Sequence, residues 1–142
     1  MRSLSQNRLG AEGAAALAPA LAANGALTKL SLASNYLKEE GTKAICEALE
    51  QNQTLKKLDI RGGAYGFMIG EYEDNIGGSA GAKHVAKMLG VNGGLTSINL
   101  SYNQLCGVWR TDRYSLHGTY TAEGIAAIAD ALRVNGALTK IE

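Results

Sequence analysis

Hydrophobic positions follow two different periods that alternate along the chain. In residues 27–54, Leu30 and Leu32 alternate with polar or small residues, and this period of two predicts a strand with one buried face. A second set recurs every four residues, which is helical spacing with one buried stripe. Its members are Gly41, Ile45 and Leu49. One such unit therefore predicts a strand, a loop, a helix and a second loop.

The same unit recurs along the chain. Its strand segments begin at Leu27, Leu55, Leu95 and Leu138, which are 28, 40 and 43 residues apart. This spacing predicts a 28-residue unit with insertions at about residues 64–75 and 106–120. The copies cover about residues 1–26, 27–54, 55–94 and 95–137, with a partial copy at 138–142. Because one unit cannot bury its own apolar faces, we expect the copies to stack into a single domain.

Asparagines recur at two places in the unit. Asn7, Asn35 and Asn103 follow the strands, where side-chain amides can bond backbone groups that leave the sheet. The third copy has Gly63 at this place, so we expect the row of asparagines to be interrupted or adjusted there. A second set follows the helices and predicts left-handed residues that end them. Its members are Asn24, Asn52, Asn92 and Asn135.

The pattern LxxLxLxxNxLxxxGxxxLxxxL resembles the leucine-rich repeat, in the 28-residue class of ribonuclease inhibitor. Ran GTPase-activating protein and the repeat arrays of NOD-like receptors share this class. The resemblance covers the chain outside the two insertions. It implies an α/β fold, a segment of a right-handed horseshoe solenoid. A short parallel sheet of four to five strands would line the concave side, and four helices the convex side.

Both ends of the chain depart from the repeat pattern. Arg2 falls where a strand leucine belongs, and the sequence stops inside a strand at Ile141 and Glu142. A solenoid needs polar capping repeats for solubility, and neither end supplies one. We therefore expect the chain to be a fragment of a longer array.

The two insertions hold six of the eight aromatic residues. These six are Tyr65, Phe67, Tyr72, Trp109, Tyr114 and Tyr120. The first insertion is acidic, with Glu71, Glu73 and Asp74, which we expect to be solvated, and the second carries Arg110 and Arg113. Since both follow strands of adjacent copies, we expect them to leave the repeats side by side. The aromatics would form either a small satellite core or a binding surface, and the two interpretations are compatible.

The outward strand positions form a second candidate surface. The resemblance makes this the concave face, which serves as a binding surface in the family. Its candidate partner-binding residues are Lys29, Lys57, Asp59, Arg61 and Asn99. The mixture is polar and mildly basic, and a merely solvated sheet face is the alternative.

Charge and composition exclude several classes of function. A net charge of +1 provides no long-range field for nucleic acid or an anionic membrane. Cys46 and Cys106 are expected to be free thiols, which favours the cytoplasm or the nucleus. His84 and His117 have no partners at metal-ligand spacing, and no nucleophile, base and orienting residue occur together. We therefore expect no enzyme activity, no cofactor, no metal and no small-molecule substrate.

The sequence thus predicts a module that binds another protein through the concave strand face, the aromatic insertions, or both. A GTPase-activating or other enzyme-regulating segment is the alternative that rests on the resemblance to the Ran regulator alone. A structural spacer without its own binding site is the third interpretation.

Overall fold

The computed structural model describes residues 2–64, 72–110 and 115–142. Within these ranges it is a mixed α/β structure with four helices and a parallel sheet. In chain order the elements are β1 (Arg2–Ser3), α1 (Gly10–Ala23), β2 (Lys29–Ser31), α2 (Lys38–Gln51), β3 (Lys57–Asp59), β4 (Gly63–Ala64), β5 (Tyr72–Glu73), α3 (Gly78–Val91), β6 (Ser97–Asn99), β7 (Val108–Arg110), β8 (Leu116–Gly118), α4 (Glu123–Val134) and β9 (Lys140–Ile141). Among these helices, none is of the length and apolar character that crossing a membrane requires.

The parallel sheet joins one strand from each copy of the unit. Its order is β1-β2-β3-β6-β9, and every neighbouring pair is parallel. Leu30 pairs with Leu58, and Leu58 pairs with Ile98. The register of the strand leucines predicted from the repeat is therefore confirmed. Consecutive helices pack in the same order, α1 on α2, α2 on α3 and α3 on α4.

In the described part of the chain, an apolar core lies between the strands and the helices. The strand residues Leu30, Leu58 and Ile98 belong to the same buried cluster as Ile45 of α2 and Val85 of α3. Each buried aliphatic side chain of this size contributes roughly 1.5–3 kcal/mol of transfer free energy. The core therefore runs through neighbouring copies of the unit, and each copy depends on the next for its burial.

The glycines near the start of α2 and of α4 permit a close approach to the preceding helix. A Cβ atom at Gly41 would lie 3.0 Å from Cβ of Ala14, and one at Gly124 would lie 2.9 Å from Cβ of Ala82. The pattern places these glycines in the buried helical stripe. The structure shows that their role is the absence of a side chain rather than the burial of one.

The asparagines that follow the strands form an unbroken row. The backbone N–H of Asn7 donates to Oδ1 of Asn35 at 2.9 Å, that of Asn35 to Oδ1 of Asn75 at 3.0 Å, and that of Asn75 to Oδ1 of Asn103 at 2.8 Å. Of the two outcomes expected at Gly63, the interruption is wrong and the row is adjusted instead, because Asn75 takes the place in the row. Asn75 therefore belongs to the repeat, and the first insertion ends before this residue.

The asparagines that follow the helices adopt an extended backbone, so the left-handed conformation expected for them is wrong. Asn92, for example, has φ −80° and ψ 112°. Its side chain donates to the carbonyls of Leu49 at 2.7 Å and of Asn52 at 2.9 Å, and accepts from the N–H of Leu95 at 2.8 Å. Asn52 and Asn135 make the equivalent bonds to their own neighbours. A second row of asparagines thus satisfies the carbonyls at the helix ends of adjacent copies.

Asp74 lies four residues before α3 and is half-buried, so the expectation that it is solvated is wrong. Its Oδ2 accepts from the backbone N–H of Gly77 at 2.7 Å. Burial raises the pKa of the Asp74 carboxyl, and hydrogen bonds from backbone N–H groups, led by that of Gly77, act against this rise. The side chains of Glu71 and Glu73 lie outside the described residues.

Cys46 should be chemically inert in the folded chain. The thiol is buried, and burial raises its pKa to about 12, with the nearby carboxylates of Glu50 and Glu47 adding to the rise. Because the thiolate is the reactive form, we expect a Cys106→Ser variant to react negligibly with Ellman's reagent at mildly alkaline pH. The same variant should react at once in denaturant. A native reaction at the rate of a free thiol would contradict this prediction.

Candidate partner-binding surfaces

The strand face is the side of the parallel sheet opposite the buried Leu30, Leu58 and Ile98. Two rows of side chains cross it in register. The first row is Lys29, Lys57, Ser97 and Lys140, and the second is Ser3, Ser31, Asp59 and Asn99. Four of the candidate residues expected at outward strand positions, Lys29, Lys57, Asp59 and Asn99, lie in these two rows.

Asp59 is the centre of a hydrogen-bonded group on the strand face. Its Oδ2 accepts from the Ser31 hydroxyl at 3.0 Å and lies 3.7 Å from Nε of Arg61. Its Oδ1 accepts from the backbone N–H of Arg61 at 3.2 Å. The Ser31 hydroxyl also lies 2.8 Å from that of Ser5. The negative charge of Asp59 is thereby compensated within the face, and its side chain is oriented by three groups.

Glu142 is the second carboxylate on this face, and it too is compensated. Nδ2 of Asn99 donates to its Oε2 at 2.9 Å, and Lys140 forms an ion pair with the other oxygen. The hydrogen bond from the Lys140 ammonium, with its positive charge, holds the pKa of the Glu142 carboxyl below its usual value.

Lys29 and Lys57 differ from the other charged residues of the strand face in their lack of a compensating carboxylate within the described ranges. They pair directly in register and both are exposed. Within the described ranges, neither has a carboxylate at ion-pair distance. The two lysines border a shallow depression of about 170 Å³. Its other polar lining residues are Asp59, Ser97, Asn99 and Glu142.

The antiparallel β7–β8 hairpin carries an exposed aromatic pair. Trp109 pairs with His117 across the hairpin, and their rings stack with centroids 6.0 Å apart and planes at 24°. The Trp109 residue is 39% exposed. Leu116 and Tyr120 are exposed as well. The hairpin therefore presents apolar and aromatic surface to solvent.

Gly118 permits this arrangement of the tryptophan. It has φ +84°, and a Cβ atom there would lie 2.1 Å from the carbonyl oxygen of Gly107 and 2.5 Å from Cζ3 of Trp109. A side chain at this position would thus strain the backbone and displace the indole ring.

Gly118→Ala should therefore move the only tryptophan of the chain. We expect its fluorescence emission to shift to longer wavelength and its quenching by iodide to increase, while the far-ultraviolet circular dichroism stays unchanged. Gly25→Ala is the matched control, because nothing lies within 4 Å of a Cβ atom at Gly25. An unchanged emission spectrum in the Gly118→Ala variant would refute the packing of Trp109 on this glycine.

Six of the aromatic and basic candidates from the sequence lie wholly or partly outside the described residues. Tyr65, Phe67, Arg113 and Tyr114 lie outside the described residues. The backbones of Tyr72 and Arg110 belong to β5 and β7, but their side chains are not described. In the described ranges, β4 pairs with β5 and β7 with β8, each within its own hairpin. A shared aromatic cluster between the insertions therefore stays a prediction.

Four residues that shape these surfaces are not indicated by the sequence pattern. The contacts of Ser31 and Glu142 do not follow from the alternating pattern, which does not reveal which neighbours bond each other. Nothing in the pattern indicates that His117 stacks on Trp109 or that Gly118 makes room for the indole ring. The described residues contain no group of three histidine, cysteine or acidic side chains placed to hold a metal ion.

Two comparisons with known proteins bear on the fold. The family model described as "Leucine Rich repeat" matches residues 3–18. A solved structure titled "Leiomodin-1 Actin-Binding Site 2 (ABS2)" is similar with a TM-score of 0.59 and 20% sequence identity. The similarity covers 92% of this chain and 61% of that chain, so this chain spans less than two thirds of its neighbour. No curated protein sequence matches. Both similarities support a leucine-rich repeat fold.

Proposed function

We propose, on the premise of a leucine-rich repeat fold, that this chain is a segment of a curved solenoid that binds another protein. The repeat class would be the 28-residue class of ribonuclease inhibitor. The 28-residue spacing of the uninterrupted copy and the strand register support this class. The binding surfaces would be the strand face, as the concave side, and the β7–β8 hairpin.

The single observation that carries the proposal is the register of polar side chains across the parallel sheet. Strands lie about 4.8 Å apart, so the two rows extend over roughly 19 Å from β1 to β9. The buried leucines beneath hold the strands in place, and the hydrogen bonds around Asp59 and Glu142 hold side chains in defined orientations. The side chains of Asp59 and Glu142 would therefore lose little conformational freedom when a partner binds.

The shape of the strand face favours a protein over a small molecule. Its depression measures about 170 Å³ and is shallow. Sites for drug-sized ligands are usually enclosed and roughly 300–1,000 Å³ in volume. An extended row of alternating polar and charged groups is instead suited to a polypeptide surface. The exposed Trp109 adds a residue type that often dominates the energy of protein interfaces.

Actin is the first partner to test, because the similar structure is titled as an actin-binding site of leiomodin-1. Purified actin is titrated into the labelled chain, and complex formation is followed by sedimentation velocity. We expect binding that weakens about tenfold when Asp59 and Arg61 are both replaced by alanine. The matched control replaces Lys43 and Glu47, an exposed ion pair on α2, so that the net charge is the same in both variants.

The outcomes test the choice of actin as the partner and the choice of the strand face as the binding surface independently. If actin does not bind, actin is rejected as the partner. If both double variants bind equally weakly, the strand face is rejected as the binding surface. A photo-crosslinking residue at Asn99, compared with one at Lys43, then tests binding in extracts. The spacer interpretation is favoured if the Asn99 position captures nothing beyond what the Lys43 position captures.

A further inference from the structure

We infer that the part of the strand face formed by Lys29 and Lys57 receives an acidic polypeptide segment of the partner. This inference deepens the proposed function and rests on it. The carboxylates of the segment would lie between the two ammonium groups, over the depression that both lysines border.

The register of the two lysines is the first argument. Lys29 pairs directly with Lys57 on neighbouring strands, so their side chains leave the sheet about 4.8 Å apart. Like charges in this position repel and destabilise a sheet. An anion placed between them would remove that repulsion and would be attracted by both charges.

The compensation of the neighbouring charges is the second argument. The strand face carries four cations, Lys29, Lys57, Arg61 and Lys140, against the two carboxylates of Asp59 and Glu142. Arg61 lies by Asp59, and Lys140 pairs with Glu142. The remaining charge of +2 is therefore concentrated on Lys29 and Lys57.

The polar neighbours of the lysines favour a polypeptide. Ser97 follows Lys57 in the same row, and Asn99 lies on the same strand as Ser97. Their hydroxyl and amide groups can bond the backbone of a segment that crosses the strands. Nucleic acid is disfavoured, because phosphate-backbone binding requires several cations along a track and the whole chain has a net charge of +1.

The test measures the anisotropy of a fluorescein-labelled oligoglutamate peptide at low ionic strength. We expect Lys29→Gln with Lys57→Gln to weaken its binding about tenfold. Lys43→Gln with Lys87→Gln removes the same charge from exposed positions on α2 and α3 and should change the affinity by less than about twofold. Added salt should weaken binding to the unaltered chain. Circular dichroism confirms that both double variants are folded.

Equal weakening in the two double variants would overturn the inference, because the peptide would then respond to bulk charge. A labelled single-stranded oligonucleotide that binds more tightly than the peptide, and loses binding in the Lys29/Lys57 variant, would overturn the assignment to a polypeptide. A failure of this inference can be distinguished from a failure of the proposed function, because the two are tested with different variants. If the peptide result is negative while the Asp59/Arg61 variant still loses its protein partner, the inference alone is wrong.

Discussion

Asn75→Ala is expected to destabilise the chain by about 4 kcal/mol, because its side chain serves four buried backbone groups of two neighbouring copies. Its Oδ1 accepts from the N–H groups of Asn35 at 3.0 Å and Leu37 at 3.2 Å. Its Nδ2 donates to the carbonyls of Leu32 at 3.0 Å and Ile60 at 3.1 Å. Alanine would leave both N–H groups buried without these bonds. Urea unfolding followed by far-ultraviolet circular dichroism measures the loss.

Asn7→Ala is the control for this prediction. Asn7 stands in the same row, but it is exposed and its side chain donates only to the carbonyls of Leu4 and Ser5. Water can replace those bonds, so the expected cost is about 1 kcal/mol or less. Equal losses for Asn7→Ala and Asn75→Ala would show that burial does not govern the contribution of this row.

Gly81→Ala is the second substitution for which we expect a large effect, a loss of about 3 kcal/mol. A Cβ atom at Gly81 would lie 1.7 Å from the carbonyl oxygen of Ile76. This oxygen belongs to the backbone and cannot move aside as a flexible side chain could, so the start of α3 would have to shift against its neighbours. The free energy of unfolding in urea again measures the effect.

Gly90→Ala in the same helix is expected to change the free energy of unfolding in the opposite direction. Nothing lies within 4 Å of a Cβ atom at Gly90, and alanine is the better helix former. We expect a gain of about 0.5–1 kcal/mol, because alanine loses less conformational entropy on folding. If Gly81→Ala and Gly90→Ala changed stability in the same direction, steric contact would not be the reason for glycine at position 81.

The third asparagine of the first row could have been found from sequence spacing. Asn7, Asn35 and Asn75 each stand six residues before the glycine of their own helix. The fourth, Asn103, is separated from Gly124 by the second insertion. Counting forward from the strand leads to Gly63, because the first insertion lies between the strand and the asparagine. Counting back from the helix glycine leads to Asn75.

The candidate surfaces were only partly predictable. The period of two places Lys29 and Lys57 in one outward column, since side chains alternate across a strand. It does not show that Arg61 and Lys140 compensate the two carboxylates, because those contacts depend on side-chain conformations. The insertions carry no period, so their aromatic residues could be named but not placed. The stacking of Trp109 on His117 follows from a hairpin register that no repeat specifies.

The sequence by itself determined the strand–helix unit, its 28-residue spacing and the alignment of the strand leucines. Periodicity carries this information, because each unit must bury its apolar positions against the same positions of its neighbour. Only the tertiary structure decided what the asparagines and the helix glycines do. Their roles depend on distances between backbones of different copies, where an amide reaches a neighbour's carbonyl and a missing side chain lets two helices meet.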